Sequence, residues 1–476
     1  PVHLFREPGE AEAYRRYLEG WVAQLHGKLV ERPAGSWPEP EAAWRTIAEH
    51  AVWRLNLISM YATASPLKRL LVQRAALLEK GLRDLFGQEL DHTFPPAPAR
   101  RRLRLGVLAQ HFGPQTETYG LLGFYGHLDR DRFEVVLIAN RESSGGVAER
   151  CAAAADRVVH LSGDIPAKVR QIRDLDLDLL LLGTNVSICT HDITLLALYR
   201  LARWQVATNV GVATTGMRTW DRFLEVVDHD PAFGDRNCSE ELLCLGLPCS
   251  MADVGDLETL PVARYTRAQL ALPEEAVVYA SAASPYKLPP EVVETWAEVL
   301  AAVPGSYLLL CPFNPNWSDR YPEGPFVSMV ERTLERHGVG PERLRIAAVS
   351  GSERVRGLFA LADVMLDSYV CASGVTLLDV LATGIVPVMF HGPTLRTQTA
   401  SVTLGRGHFP ELFAEGVAEY REIAVRLGLD PGWRRALRAR LLEHRRWVAS
   451  GALYRQVGAA LGEALERLAR GAPVAA

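Results

Sequence analysis

No apolar run in the 476 residues approaches the roughly 20 that a membrane-spanning helix needs, so no span is expected. Neither sign of charge dominates: 52 Lys+Arg stand against 56 Asp+Glu, a net −4, which argues against a general nucleic-acid binder. The seven cysteines (151, 189, 238, 244, 249, 311 and 371) are odd in number and scattered, without a Cys-x-x-Cys pair. They make neither a disulfide framework nor a zinc site, and they suit a reducing compartment. The opening residues Pro1–Glu7 carry no signal-peptide pattern, so the expected setting is the cytoplasm. A 48% hydrophobic composition excludes a disordered chain. At roughly 100–200 residues per domain, the length accommodates two to four domains.

What is present falls into three blocks. Residues 1–97 read as an all-helical domain. Glu10–Val30, Pro40–Met60 and Leu67–Phe86 carry apolar residues at three- and four-residue steps. Trp44, Ile47, Ala51 and Leu55 make one stripe, and Leu70, Leu71, Ala75 and Leu78 another. There is no self-similar helical repeat of about 34 residues. After the stiff stretch Phe94–Ala99, Arg100, Arg101 and Arg102 read as a solvated linker rather than a phosphate site.

From there short apolar runs alternate with helical periods, the mark of βαβ units on a parallel sheet. In residues 98–260 strands are expected at Arg104–Ala109, Phe133–Ala139, Arg157–Leu161, Leu179–Leu182, Gln205–Val210 and Phe223–Val227. In residues 261–476 they are expected at Ala276–Tyr279, Ser306–Leu310, Leu344–Val349, Val364–Leu366 and Ile385–Phe390. Pro290–Val303 is a helix with proline in its first turn, and the chain from about Glu419 onward is again helical. The fold class is therefore α/β, with two doubly wound domains in tandem. Ligands of such folds bind in the crevice at the carboxyl ends of the strands.

Two stretches on that crevice carry chemistry. In the run Asp367–Asp379, a strand ends, a small-residue loop follows, and a helix begins near Val375. Ser373, Gly374, Val375 and Thr376 offer free backbone N–H groups, a hydroxyl and the positive end of the helix to an anion. Asp379, one turn further in, can accept hydrogen bonds from ribose hydroxyls. The same residues also read as an ordinary N-cap followed by a solvated helix. The second stretch, Ala280–Lys287, follows the first strand of the last block. Its lysine can neutralise a diphosphate as charge grows on a leaving group, or it is simply a surface lysine.

With these residues in hand, the last block resembles glycosyltransferase family 41, in its O-GlcNAc transferase branch. The resemblance runs through Leu272–Tyr279, Tyr286-Lys287-Leu288, Trp296-Ala297, Val303-Pro304, Leu361–Val364 and Asp367–Asp379. It continues through Gly392–Leu395, Ala400-Ser401, Glu419-Tyr420 and Ile423–Gly428. The middle block matches more thinly, at Leu105–Val107, Phe112-Gly113 and Arg132–Val135. Ala213–Thr215 instead looks like the N-glycosylating branch, which also carries a helical N-terminal domain.

The resemblance implies a GT-B type fold of two facing Rossmann-like domains, and an inverting, metal-independent transferase without cofactor. A UDP-sugar would donate a hexose or N-acetylhexosamine to Ser, Thr or Asn of an acceptor protein or peptide. It makes Lys287 the diphosphate lysine and Asp379 the ribose carboxylate, lays the Gly374–Thr376 loop on the phosphates and puts Ser284 near the donor. Arg354 takes the place of a base-contacting histidine. The family's His-Thr-Thr is Gly374-Val375-Thr376 here. Its loop histidines near sugar and acceptor are Gln115 and Tyr119, with His111 four residues upstream. Glu117 and His111 are then the candidates for general base. A homodimer is left open.

Other features give less. Asp228-His229-Asp230 resembles a metal-holding Asp-x-Asp but reads better as a strand-end turn, and Asp192 or Thr190 beside His191 as a helix cap. Arg434, Arg435, Arg438, Arg440, Arg445 and Arg446 read as a solvated face, and Trp317 either lines the cleft or packs under a loop. Three other functions fit parts of the pattern: a transferase acting on a glycan or small molecule, a UDP-sugar 2-epimerase, and a silent sugar-nucleotide-binding scaffold.

Overall fold

The structure is a computed structural model, and it describes residues 2–31, 46, 50, 53–98, 100–250, 252–313 and 321–471. Most of the helix expected over Pro40–Met60, with Trp44, Ile47 and Ala51, lies outside these residues, as does Trp317. The described end of that stretch is a 3-10 turn, Ile58–Ala62, rather than α-helix. Two backbone donors there are drawn elsewhere. Asn56 Oδ1 accepts from the Ile58 N–H at 2.9 Å, and the Leu57 N–H reaches the Ile188 carbonyl at 2.6 Å.

Seven strands build the first sheet: β1 Leu103–Ala109, β2 Phe133–Ala139, β3 Arg157–His160, β4 Leu179–Leu182, β5 Trp204–Thr208, β6 Arg222–Glu225 and β7 Glu241–Cys244. All pairings are parallel and the order is β3-β2-β1-β4-β5-β6-β7. β4 is four leucines, all buried, as a strand covered on both faces requires. Six more strands build the second sheet: β8 Val278–Ser281, β9 Tyr307–Leu310, β10 Leu344–Ile346, β11 Val364–Leu366, β12 Val386–Phe390 and β13 Phe413–Ala414. Their order is β10-β9-β8-β11-β12-β13, also parallel. In each sheet the chain reverses its winding at one place, between β1 and β4 and between β8 and β11. The loops that follow these four strands flank the crevices where α/β sheets bind ligands.

The helical N-terminal layer shares its core with the first sheet. Leu18, Val22 and Leu25 of helix Glu10–Leu29 and Leu70, Leu71 and Leu78 of helix Lys68–Phe86 join one cluster with Leu108, Ile138, Leu180 and Leu182. Two buried arginines fasten this layer to both halves. Arg74 donates to the Val186 carbonyl at 2.9 Å and to Thr190 Oγ1 at 3.0 Å. Arg396, at the start of helix Leu395–Leu404 beside the second sheet, donates to the Thr63 carbonyl at 2.8 Å and to that of Ser65.

The chain also crosses back at its end. Helix Ala452–Ala469 packs on helix Thr116–Tyr125 of the first half, with Arg132 Nε 2.8 Å from Glu466 Oε1 and the Tyr454 hydroxyl donating to the Ala252 carbonyl at 3.1 Å.

Two expectations about arginines hold only in part. Arg101 is solvated, as expected, but Arg100 pairs with Asp176 and Asp178, and Arg102 Nη1 lies 3.0 Å from Asp156 Oδ1, so the stretch before β1 is clamped on either side of it. On helix Pro431–Ala449, Arg435, Arg438, Arg440 and Arg446 are exposed, as a solvated face requires, while Arg438 also donates to the Thr383 carbonyl at 3.2 Å, Arg440 to that of His408 at 2.8 Å and the half-buried Arg445 to that of Ala382 at 3.0 Å. A guanidinium on a long stem reaches past the helix rim to orphan carbonyls, which a reading of charge runs alone does not register.

Candidate functional site

The loop between β11 and helix Thr376–Thr383 is shaped by Asp367. This buried carboxylate accepts the Ser368 N–H at 2.9 Å, the Ser373 N–H at 2.9 Å and the Ser373 hydroxyl at 2.7 Å. Burial pushes its carboxyl above the ordinary aspartate value, while those donors and the charge of Lys287 pull it back. Ser373 therefore points inward and holds the turn. Val375 stands at the helix N-cap without a side-chain hydrogen bond, so the helix start keeps its positive end uncapped by any side chain. Gly374, where a Cβ would lie 3.2 Å from Thr399 Cγ2, lets helix Leu395–Leu404 approach the loop.

Lys287 closes a 3-10 turn, Pro285–Lys287, in the loop after β8. Its ammonium donates to the Ala372 carbonyl at 3.2 Å, and its own carbonyl accepts the Ser368 hydroxyl at 2.6 Å. The cation and the helix start thus share one crevice at the β8–β11 reversal. Ser284 is half-buried on the same turn, its carbonyl accepting the Lys287 N–H at 2.9 Å.

Asp379, in the first turn of that helix, is buried against Arg356, with Nη1 and Oδ1 2.7 Å apart. Burial pushes the Asp379 carboxyl up to about 6, with the guanidinium opposing the shift. Arg356 is fixed in turn by the Pro261 carbonyl, which accepts from Nε at 2.7 Å. Arg354, two residues earlier, is exposed at the start of helix Ser352–Phe359. The buried arginine at the carboxylate is Arg356, which sequence reasoning passed over.

On the facing side, the loops after β1 and β4 meet where the Gln110 N–H donates to Thr184 Oγ1 at 2.8 Å. Glu117 lies in the first turn of helix Thr116–Tyr125 and accepts the Asn185 N–H at 2.8 Å. Burial pushes its carboxyl above the ordinary glutamate value. His111 turns its Nδ1 to the Gly113 N–H at 3.1 Å, and burial and Arg141 lower its pKa. Gln115 donates to the His111 carbonyl at 3.2 Å, so both residues stitch their own loop. Tyr119 feels the charges of Arg356 and Asp379 from across the cleft.

A residue of the helical layer bridges the two sides. Tyr61 accepts a hydrogen bond from Asn185 Nδ2 at 3.2 Å, and Lys287 Nζ stands 5.8 Å from its ring centroid. The signal for Asp367 was visible in its place at a strand end before a loop. Tyr61 had none, because its partners come from residues more than a hundred positions away.

The set-aside features resolve as structural. Asp230 caps helix Pro231–Asn237 through the Phe233 N–H at 2.9 Å, and His229 stacks on Phe233. His191, rather than the expected Asp192 or Thr190, caps helix Asp192–Leu196, because Asp192 is drawn to Lys168 at 2.6 Å. Among the described residues, no group of three or more His, Cys, Asp or Glu is placed to hold a metal ion.

Two facing parallel sheets, with a cation and a helix start in the crevice of the second, define the GT-B class of glycosyltransferase folds. Residues 250–454 match the model of glycosyl transferase family 41. That span holds Ser284, Lys287, Arg356, the Ser373–Thr376 loop and Asp379, but not His111, Gln115 or Glu117.

The UDP-N-acetylglucosamine–peptide N-acetylglucosaminyltransferase of Caenorhabditis elegans is 32% identical over 184 residues, 39% of this chain and 15% of that protein. The probable enzyme of the same description, SEC, from Arabidopsis thaliana is 32% identical over 173 residues, 36% of this chain and 17% of its own length. The chain thus spans less than a fifth of these relatives. A mutant O-GlcNAc transferase from Thermobaculum terrenum superposes with a TM-score of 0.69 at 23% identity, covering 96% of this chain and 82% of that one. This shared fold extends through the helical layer. No helix of the described residues is long and apolar enough to cross a membrane.

Proposed function

We propose that the protein is an inverting glycosyltransferase that moves a hexose or N-acetylhexosamine from a UDP-sugar to a side chain of a protein or peptide. The observation that carries this reading is the Lys287 ammonium, 3.2 Å from the Ala372 carbonyl on the loop that opens helix Thr376–Thr383. Cation and helix start converge where a diphosphate would lie, and negative charge grows on the β-phosphate as the sugar leaves. A preplaced charge favours that transition state over the ground state. Thr376 adds a hydroxyl, and Asp379 receives the ribose hydroxyls. Glu117, facing this crevice from the first half, takes the acceptor proton as the acceptor attacks the anomeric carbon opposite the departing UDP.

In this reading Lys287 supplies the charge that a divalent cation supplies in other transferases, so neither metal nor cofactor is required. The relatives' printed activity, transfer of N-acetylglucosamine to peptide, supports a protein acceptor. The seven free cysteines fit a cytoplasmic setting.

The test measures UDP released from UDP-glucose and UDP-GlcNAc, with and without a peptide library and with EDTA. Peptide-dependent release that survives EDTA is expected, and Lys287→Ala should lower the rate at least a hundredfold with an unchanged melting curve. Epimer formation without acceptor, or tight UDP binding without turnover in the presence of peptide, would replace this reading.

A further inference from the structure

We propose that Tyr61, contributed by the helical layer, is a positioning residue for Lys287. The inference rests on the donor-site reading above and adds to it a part for the N-terminal block. Tyr61 is 6% exposed and sits in the 3-10 turn Ile58–Ala62, which packs against the turn Pro285–Lys287. A lysine side chain has four rotatable bonds and loses much freedom when it is held in one direction. Here the ammonium is held by the Ala372 carbonyl at 3.2 Å and faces the Tyr61 ring, 5.8 Å from its centroid. The negative face of an aromatic ring attracts such a cation, most strongly where water is excluded.

The ring itself cannot swing. Its hydroxyl accepts from Asn185 Nδ2 at 3.2 Å, and Asn185 is pinned in turn: its N–H donates to Glu117 Oε1 at 2.8 Å and its Oδ1 accepts from the Ser187 hydroxyl at 2.6 Å. The backbone beneath is fixed from both halves, by Leu57 on Ile188 at 2.6 Å and by Arg396 on Thr63 at 2.8 Å. Tyr61 therefore ties the direction of the donor-side cation to the loop that carries Glu117. It touches neither donor nor acceptor in this account; it acts through Lys287.

The test is a double-mutant cycle read as UDP affinity by isothermal titration calorimetry. Tyr61→Leu removes ring and hydroxyl and is expected to weaken UDP about tenfold in the wild-type background, and not further in Lys287→Ala. Tyr61→Phe keeps the ring, loses only the Asn185 anchor and folds more readily. It should weaken UDP about threefold, again only where Lys287 is present. Equal losses in both backgrounds, or no loss from either substitution, would overturn the proposal, because a packing role alone does not depend on the lysine. If Lys287→Ala binds UDP as the wild type does, the donor-site reading itself fails, whatever the Tyr61 variants do.

Discussion

At Asp379 two effects compete over one carboxylate: burial disfavours its charge and the Arg356 guanidinium, 2.7 Å away, favours it. Burial wins in part and leaves the group at about 6. A ribose hydroxyl needs the ionised form as acceptor. UDP affinity should therefore hold above pH 6 and weaken as the pH falls through about 6, whereas an ordinary aspartate would hold to about 4. Calorimetric titration of UDP from pH 5 to pH 8 checks this, and the dependence should vanish in Asp379→Asn. Glu117 is raised in the same direction by its own burial. As a base it must be ionised, so the acid limb of the rate should fall above the pH of a free glutamate. Glu117→Gln should cut turnover a hundredfold or more while leaving the Kd for UDP within about twofold. A comparable loss of UDP affinity would move Glu117 to the donor side.

Among the elements, helix Pro431–Ala449 buries His444 against His408 and Trp447, and its Nε2 finds no partner. Burial pushes this histidine down to about 4, below its ordinary 6.5. The unfolded chain then binds the proton more readily than the folded one. The stability is intact above pH 6.5 and is lost progressively as the pH falls toward 4, by about 2 kcal/mol at pH 5. Melting midpoints at pH 7.5 and 5.0 should separate less in His444→Leu than in the wild type. If the two proteins lose the same amount, other groups account for the acid sensitivity.

The elements also show what a reader of residues can reach. β4 and β11 were legible because parallel strands covered on both faces read as unbroken apolar runs, and β1 and β2 because such a run follows Arg104 and Glu134. β7 was missed because, as a four-residue edge strand, it buries only Leu243. The donor loop was visible because strand, small residues and helix lie consecutively in the chain. Arg356 and Tyr61 were not, since their roles depend on partners brought together by the crossing of two sheets and a helical layer. Arg354, the expected base-contacting residue, is exposed two positions before the buried Arg356, so a short shift along one helix exchanges a solvent-facing side chain for a buried one.

For the whole molecule, the last helix decides how far the halves are independent. Gly458 of helix Ala452–Ala469 lies so close to the first half that a Cβ there would sit 2.0 Å from the His127 carbonyl oxygen, a backbone atom that cannot swing aside. Gly458→Ala should cost about 1–3 kcal/mol and free the helix from its seat. Hydrogen exchange would then rise along 452–469 and at the helix Thr116–Tyr125 that it covers. Unchanged protection in that variant would mean the helix is not what joins the halves.

Arg396 carries a consequence for how ligands enter and leave. Drawing the second sheet away from the helical layer strands a buried guanidinium and two carbonyls, a penalty of about 3 kcal/mol. At that gap the parted conformer amounts to about one molecule in two hundred. In the proposed reaction, a nucleotide that leaves by this route waits on that conformer.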